Sequence, residues 1–291
     1  MSSQATTQSQ NAFKQAWDEL VRPETLARRV RDVREIGFAE FRQKVTSQDP
    51  DFVHDITQSI YAGDAWFLRG AFPRTFMQEL KEKTIAWCRE RPSSFHKMIE
   101  GCPDFHRMID PETGRQYSFQ AAKHSAYFYP WNDDPLKIFP PVWERWGLIK
   151  FLSGQRVDEY TRNTPKDGVI DRIQVVRYPS GAGMLETHSD PYLHQRLIIS
   201  GYMSKRGEDY ETGGFYLIGA DDQRVDMENR IEVGDMCIAY ATVLHGVEVV
   251  DAHKTLDWNS RTGRWFLSMY SNASDEVANR HTGYAVKLSN A

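Results

Sequence analysis

The chain has 291 residues, of which 40% are hydrophobic, 12% aromatic and 26% charged. This is an ordinary globular composition, and it excludes low-complexity, collagenous and fully disordered classes. Thirty-six basic against 40 acidic residues leave a formal charge of −4, which gives no electrostatic case for a nucleic-acid or anionic-membrane partner. Three cysteines, Cys88, Cys102 and Cys237, form no close pair; an odd, scattered set argues against a disulfide framework and for a reducing, cytoplasmic setting.

Residues 1–11 are rich in Ser, Gln and Thr, with neither a basic start nor an apolar stretch, and read as a disordered tail rather than a signal peptide. Phe13, Trp17 and Leu20/Val21 then recur at helical spacing until Pro23 interrupts them. Leu26, Val30, Val33 and Ile36 mark a second apolar stripe, read as a second helix. Around residues 66–70 the pattern changes to a short strand and a turn. Pro73 opens a helix through Phe76, Leu80, Ile85 and Trp87 to about Arg91, and Pro92 ends it. Residues 93–124 are mixed, with turn signals at 101–103 and 110–114. Another helix is expected over 140–152, burying Trp143, Trp146 and Leu148 or Ile149.

Beyond Gly168 the apolar period switches to two, and strands are expected at 169–178, 196–203, 214–218, 236–240, 243–250 and 264–270. Helices followed by a run of short strands predict a mainly β, α+β fold, a sandwich or barrel with helices packed outside. The expected organisation is a helical N-terminal region (12–124) packing on a β core (125–275), with a C-terminal extension (276–291). The longest apolar-leaning run, 236–244, is too short to span a bilayer. No Gly-rich phosphate loop, nucleophile elbow, Cys-x-x-Cys or zinc-finger spacing occurs.

The chemistry concentrates around His188 and Asp190, two apart near the end of a strand pattern, where both side chains project to one side. A facial triad needs a third ligand from a distant strand, and His245, 57 residues later, is the best candidate. His253 is a rival for that distal position and His194 for the first pair, although each more readily faces solvent or substrate. Two neutral imidazoles and one carboxylate leave three positions of an octahedral ion open, the arrangement of non-haem Fe(II) oxygenases. A zinc hydrolase would be expected to carry a catalytic Glu on a neighbouring helix. By itself the His-x-Asp pair also suits an exposed turn.

The flanking residues extend the pattern. Tyr178-Pro-Ser-Gly-Ala-Gly183 leads to His188-Ser-Asp190, Arg196 begins a strand reaching Tyr202, Thr212-Gly213-Gly214 opens another, and Val233-Gly234-Asp235 a third. Thr262-Gly263-Arg264 follows the distal His. This ordered series, over about residues 169–272, resembles the 2-oxoglutarate- and Fe(II)-dependent oxygenases, in the branch that looks like prolyl 4-hydroxylases. The 19 residues from His245 to Arg264 exceed the usual gap of that family, and the stretch 257–260 looks like an inserted loop.

The resemblance implies a double-stranded β-helix, a jelly-roll barrel whose mouth holds the iron through His188, Asp190 and His245. It implies that Arg264 pairs with the distal carboxylate of 2-oxoglutarate, with Arg261 as the rival. Tyr178 and Tyr202 match positions that donate hydrogen bonds to this co-substrate, although barrel-lining aromatics would suit both places too. The expected activity is O2-dependent hydroxylation of an unactivated C–H, with release of succinate and CO2. Asp190 favours hydroxylation over chlorination, because the related halogenases carry a small residue there; desaturation, cyclisation and epimerisation use the same triad.

A biosynthetic small metabolite, an amino acid or natural-product intermediate, is the first substrate expectation, and a peptide or protein side chain the second. Tyr127, Tyr129, Arg172, Tyr192 and His194 are the candidate substrate contacts, with Lys123, His124 and Arg177 as further ones. The chain is expected to act as a monomer or homodimer with a small-molecule partner, and with neither nucleic acid nor membrane. A non-catalytic jelly-roll binding module and a cupin-like metalloenzyme without 2-oxoglutarate are the competing readings.

Overall fold

The computed structural model describes residues 11–116 and 119–286, so the expected tail lies outside the described residues except for Asn11. Asn11 caps the first helix, α1 (Ala12–Leu20), by accepting from the Lys14 amide at 3.2 Å. Phe13 and Trp17, one turn apart, are the buried face of that helix, and the Trp17 indole donates to the Leu152 carbonyl at 2.7 Å. The expected second helix over 26–36 does not form. Pro23–Thr25 makes one 3-10 turn, and the chain then extends into β1 (Val33–Gly37), parallel to β2 (Ala65–Arg69). Val30, Val33 and Ile36 are β-branched, and pairing with a neighbouring strand outweighs their helical spacing.

Between these strands lie α2 (Phe38–Ser47) and α3 (Pro50–Tyr61), the latter with Pro50 in its first turn and Asp49 as its cap. After β2 come α4 (Arg74–Arg89), β3 (Phe105–Ile109), the short α5 (Pro111–Gly114), β4 (Ala121–Phe128) and α6 (Phe139–Leu152). The β-rich part follows as β5 (Val169–Pro179), β6 (Met184–Ser189), β7 (Leu197–Tyr202), β8 (Gly214–Ile218), β9 (Arg224–Asp226), β10 (Met236–Tyr240), β11 (His245–Glu248), β12 (Gly263–Ala273) and β13 (Tyr284–Ala285). The region expected to be helical, 12–124, therefore also supplies strands.

One sheet runs β1-β2-β10-β7-β12-β5-β4, with β3 also on β4. A second contains β6-β11-β8-β9, with β13 on β6. β4 joins them, pairing β5 through residues 124–128 and β6 through Ala121 and Ala122. Apart from β1 with β2, the paired strands are antiparallel, and the longest ladder aligns β12 with β5 over eleven positions, from Gly263↔Pro179 to Ala273↔Val169. The result is a double-stranded β-helix with helices outside it, and side chains from both sheets line one central cavity.

Beneath α6 lies a fully buried ion pair between Lys150 and Asp171. Lys150 also donates to the Glu159 carbonyl, and Ser271 Oγ donates to the second Asp171 oxygen at 2.6 Å. Removing one partner strands the other charge in the interior. Lys150→Met is therefore expected to destabilise the fold by about 3–5 kcal/mol, and the double variant Lys150→Met/Asp171→Asn by clearly less. Equilibrium denaturant unfolding of the three proteins checks the ordering.

Candidate metal centre

β6 and β11 are antiparallel neighbours, and their register places His188 directly across from His245. The two rings lie 4.3 Å apart between centroids. Asp190 follows the end of β6, where its amide donates to the Ala241 carbonyl at 3.1 Å. Its Oδ1 is 3.5 Å from His188 Nε2, and its Oδ2 is 3.5 Å from His245 Nε2. All three side chains are buried.

The backbone fixes the form in which both imidazoles are presented. His188 Nδ1 donates to the Glu186 carbonyl at 2.8 Å, and His245 Nδ1 to the Val243 carbonyl at 2.9 Å. Carbonyls only accept, so Nδ1 carries the proton and each neutral ring turns the lone pair of Nε2 toward Asp190. This is the arrangement that prepares histidines as metal ligands. Phe119 stacks on His188 at 4.8 Å and limits the tilt of its ring. Burial and the neighbouring His245 hold His188 below the ordinary imidazole range. Burial opposes ionisation of Asp190, yet the two facing histidines keep its carboxyl well below the usual carboxylate range. The donor set is two imidazole nitrogens and one carboxylate oxygen within 4.8 Å of one another. It fits a divalent ion that keeps further coordination positions for exogenous ligands.

Tyr270 is the contact that the sequence motif did not announce. Its hydroxyl donates to Asp190 Oδ2, so this oxygen is oriented by a group 80 positions away. Strand alternation was the available signal, because Arg264, Phe266, Ser268, Tyr270 and Asn272 share one face of β12 and all line the cavity. The facing residues of β5, Arg172, Gln174, Val176 and Tyr178, do the same. The cavity measures about 280 Å³, and Arg280 to Gly283 of the C-terminal extension form part of its wall.

Arg264 enters this cavity opposite Tyr178 in the β12–β5 ladder. Its guanidinium sits among the rings of Tyr202, Phe215 and Phe266, 5.3–5.6 Å from their centroids. Nε donates at 2.5 Å to Glu228 Oε1, a second group the sequence reading missed. Glu228 is buried and also accepts from the Phe215 amide and the Tyr210 hydroxyl. Room for it comes from Gly214, at φ +119°, where a Cβ would stand 2.6 Å from the Glu228 carboxylate. Among the described residues the remaining guanidinium nitrogens donate no hydrogen bond.

The other sequence candidates divide by position. Tyr127, Arg172 and Lys123 line the cavity, and burial together with Arg172 pushes the Lys123 ammonium down to about 8. Tyr202 lies beneath Arg264, outside the cavity lining. Tyr129 is turned away and stacked on Trp131 at 4.6 Å. Tyr192 packs edge-on against His281, and His194 against Tyr160. The rivals are distant: Arg261 is exposed and paired with Glu82, and His253 is exposed and paired with Glu211.

No protein-family model matches the chain, and no curated protein matches it. Solved structures do. A C-terminally truncated T7H from Neurospora crassa, in apo form, aligns at TM-score 0.50 and 11% identity, over 86% of this chain and 96% of that one. The chain shares the fold of this T7H. A Pseudomonas putida prolyl-4-hydroxylase aligns at TM-score 0.42 and 13% identity, over 71% and 91% of the two chains. A putative 2OG-Fe(II) oxygenase family protein from Caulobacter crescentus aligns at TM-score 0.47 and 11% identity, over 81% and 85%. Among the described residues, no helix is long and apolar enough to cross a membrane.

Proposed function

We propose that this protein is a 2-oxoglutarate- and O2-dependent Fe(II) oxygenase that hydroxylates an unactivated C–H of a small, carboxylate-bearing metabolite. The observation that carries the proposal is the convergence of His188 Nε2, Asp190 and His245 Nε2 on one cavity that also contains Arg264 and Tyr178. His188, Asp190 and His245 would hold the iron, which supplies the redox centre for coupling O2 reduction to decarboxylation of 2-oxoglutarate.

The chain's own part is orientation and charge. The carbonyls of Glu186 and Val243 fix the tautomers of the two histidines, and Tyr270 aligns the carboxylate of Asp190. Glu228 and the three surrounding rings hold the Arg264 fork in place. Its free donors then suit the far carboxylate of a keto diacid, as a planar guanidinium does better than an ammonium. Tyr178, across the ladder from Arg264, lines the same cavity.

The substrate class is read from the other end of the β12–β5 ladder and the adjoining β4. Lys123 and Arg172 line the cavity, and neither forms an ion pair among the described residues. Two cations without acidic partners favour a substrate that brings its own acid group. The C-terminal residues 280–283, which form part of the cavity wall, support a small molecule over a protein side chain, which would need an open approach. Anaerobic addition of Fe(II) and 2-oxoglutarate to the purified protein is expected to give a visible charge-transfer absorption. Screening of amino and hydroxy acids should then reveal succinate release coupled to one of them. A protein that binds iron without that absorption, and releases no succinate, would overturn the reading.

A further inference from the structure

The opposite face of the same strands carries a second cavity, of about 320 Å³. Even-numbered residues of β5 line the barrel, whereas Val175 and Arg177 point the other way and line this one. Trp265, the cross-strand partner of Arg177, does so as well. α4 forms one wall and the long connection 249–262 another, so the apparent insertion around 257–260 closes a cavity on the outer side of the barrel.

Arg177 is 3% exposed. Its terminal nitrogens donate to the carbonyls of Ser260 and Trp258, and its Nε is buried with no hydrogen-bond partner. Among the described residues it forms no ion pair, and Asp257 acts on it only at longer range. Arg89, Arg91 and Arg261 also line the cavity, and no Asp or Glu does. A guanidinium keeps its charge when buried, and a buried charge without a counter-ion is costly to maintain. The missing partner is an anion.

We propose that this outer cavity binds a small organic anion, with its carboxylate or phosphate head on Arg177 and a flat apolar body against Trp258, Trp265 and Ile85. This inference is independent of the iron reading. A metal ion is the alternative, because Cys88, His106 and His124 bring donor atoms within 4.8 Å of one another. The hydrogen bonds argue against it. The Arg91 carbonyl can only accept from His106 Nε2, at 2.8 Å, so the neutral ring accepts at Nδ1 from His124 Nε2, at 2.9 Å. That occupies both nitrogens of His106. Burial pushes the Cys88 thiol up to about 12, keeping it protonated. Arg177 stands directly across from His124 in the β4–β5 ladder, where it would repel a dication.

Inorganic phosphate and benzoate are the probes, titrated separately into the intact protein with calorimetry and tryptophan fluorescence as readouts. At least one is expected to saturate, to weaken about tenfold or more in Arg177→Gln, and to bind Arg264→Ala as it binds the unmodified protein. Phosphate alone or benzoate alone would identify the head group. Arg89 is on the exposed rim, so Arg89→Gln provides a smaller loss even where Arg177→Gln does not fold. Failure of both probes to bind, or binding indifferent to both arginine variants, would overturn the proposal. So would loss on Arg264→Ala alone, or stoichiometric Zn²⁺ binding that disappears in His124→Ala.

Discussion

Asp190→Gly is expected to abolish turnover and to weaken Fe(II) binding by at least about 100-fold, the upper end of what losing a metal ligand's outer partner costs. The expectation rests on the position of Asp190 between its neighbours. One carboxylate oxygen faces His188 Nε2 and the other faces His245 Nε2, and the second oxygen also accepts from Tyr270. Removing the carboxylate leaves two buried imidazoles sharing no anion and a buried phenol without an acceptor. Neither histidine can compensate, because each Nδ1 is already committed to a carbonyl. Tyr270→Phe separates orientation from ligation, since it retains all three ligands and loses only the hydrogen bond. It should fall between the unmodified protein and Asp190→Gly in iron affinity, by up to about 10–100-fold. Iron titration followed by succinate release measures both. Unmodified iron affinity in Asp190→Gly would remove Asp190 from the centre.

The fold was legible wherever local pattern and tertiary role agree. Strands β8 and β10 have the expected limits, and β5 runs one residue further, to Pro179. In β5 alternation persists because its even-numbered residues line the cavity and Val175 and Arg177 face outward, whereas β8 and β10 are short apolar runs buried throughout. β12 continues to Ala273 rather than ending at 270, held by its full-length ladder with β5. The stripe at 26–36 failed because an apolar period of three to four also fits an irregular segment feeding a strand, and only the partner, β2, decides between them. α2 and α3 carried a usable signal in Phe38, Phe41 and Val45 and in Phe52, Ile56 and Ile60, all of them buried.

At the site, the motif residues lie close to strand ends that the sequence marks, and the structure brings His188, Asp190 and His245 together. Glu228 and Tyr270 escape such reading because they come from a 3-10 turn and a strand 36 and 80 positions from the groups they touch. Tyr129, Tyr192 and His194 looked suitable by residue type, yet the turns after β4 and β6 rotate them onto Trp131, His281 and Tyr160.

Arg264→Ala should separate two roles of one side chain. Toward the cavity it removes a charge-assisted partner of the co-substrate carboxylate, worth roughly 2–5 kcal/mol. The 2-oxoglutarate requirement should therefore rise by about 30-fold or more, at 1.4 kcal/mol per decade. On its other side it leaves Glu228 as an unpaired buried carboxylate, still bonded to the Phe215 amide and the Tyr210 hydroxyl. That loss is expected to lower stability by about 3–5 kcal/mol. The double variant Arg264→Ala/Glu228→Gln removes the stranded charge, so it should recover part of the stability and none of the 2-oxoglutarate affinity. Glu228→Gln alone keeps the guanidinium but loosens its hold, and should raise the requirement less than Arg264→Ala. A titration of 2-oxoglutarate against succinate release, with denaturant unfolding of the same four proteins, gives both coordinates. If the requirement were unchanged in Arg264→Ala, the anchoring role would pass to Lys123 or Arg172, the cavity-lining cations that form no ion pair among the described residues.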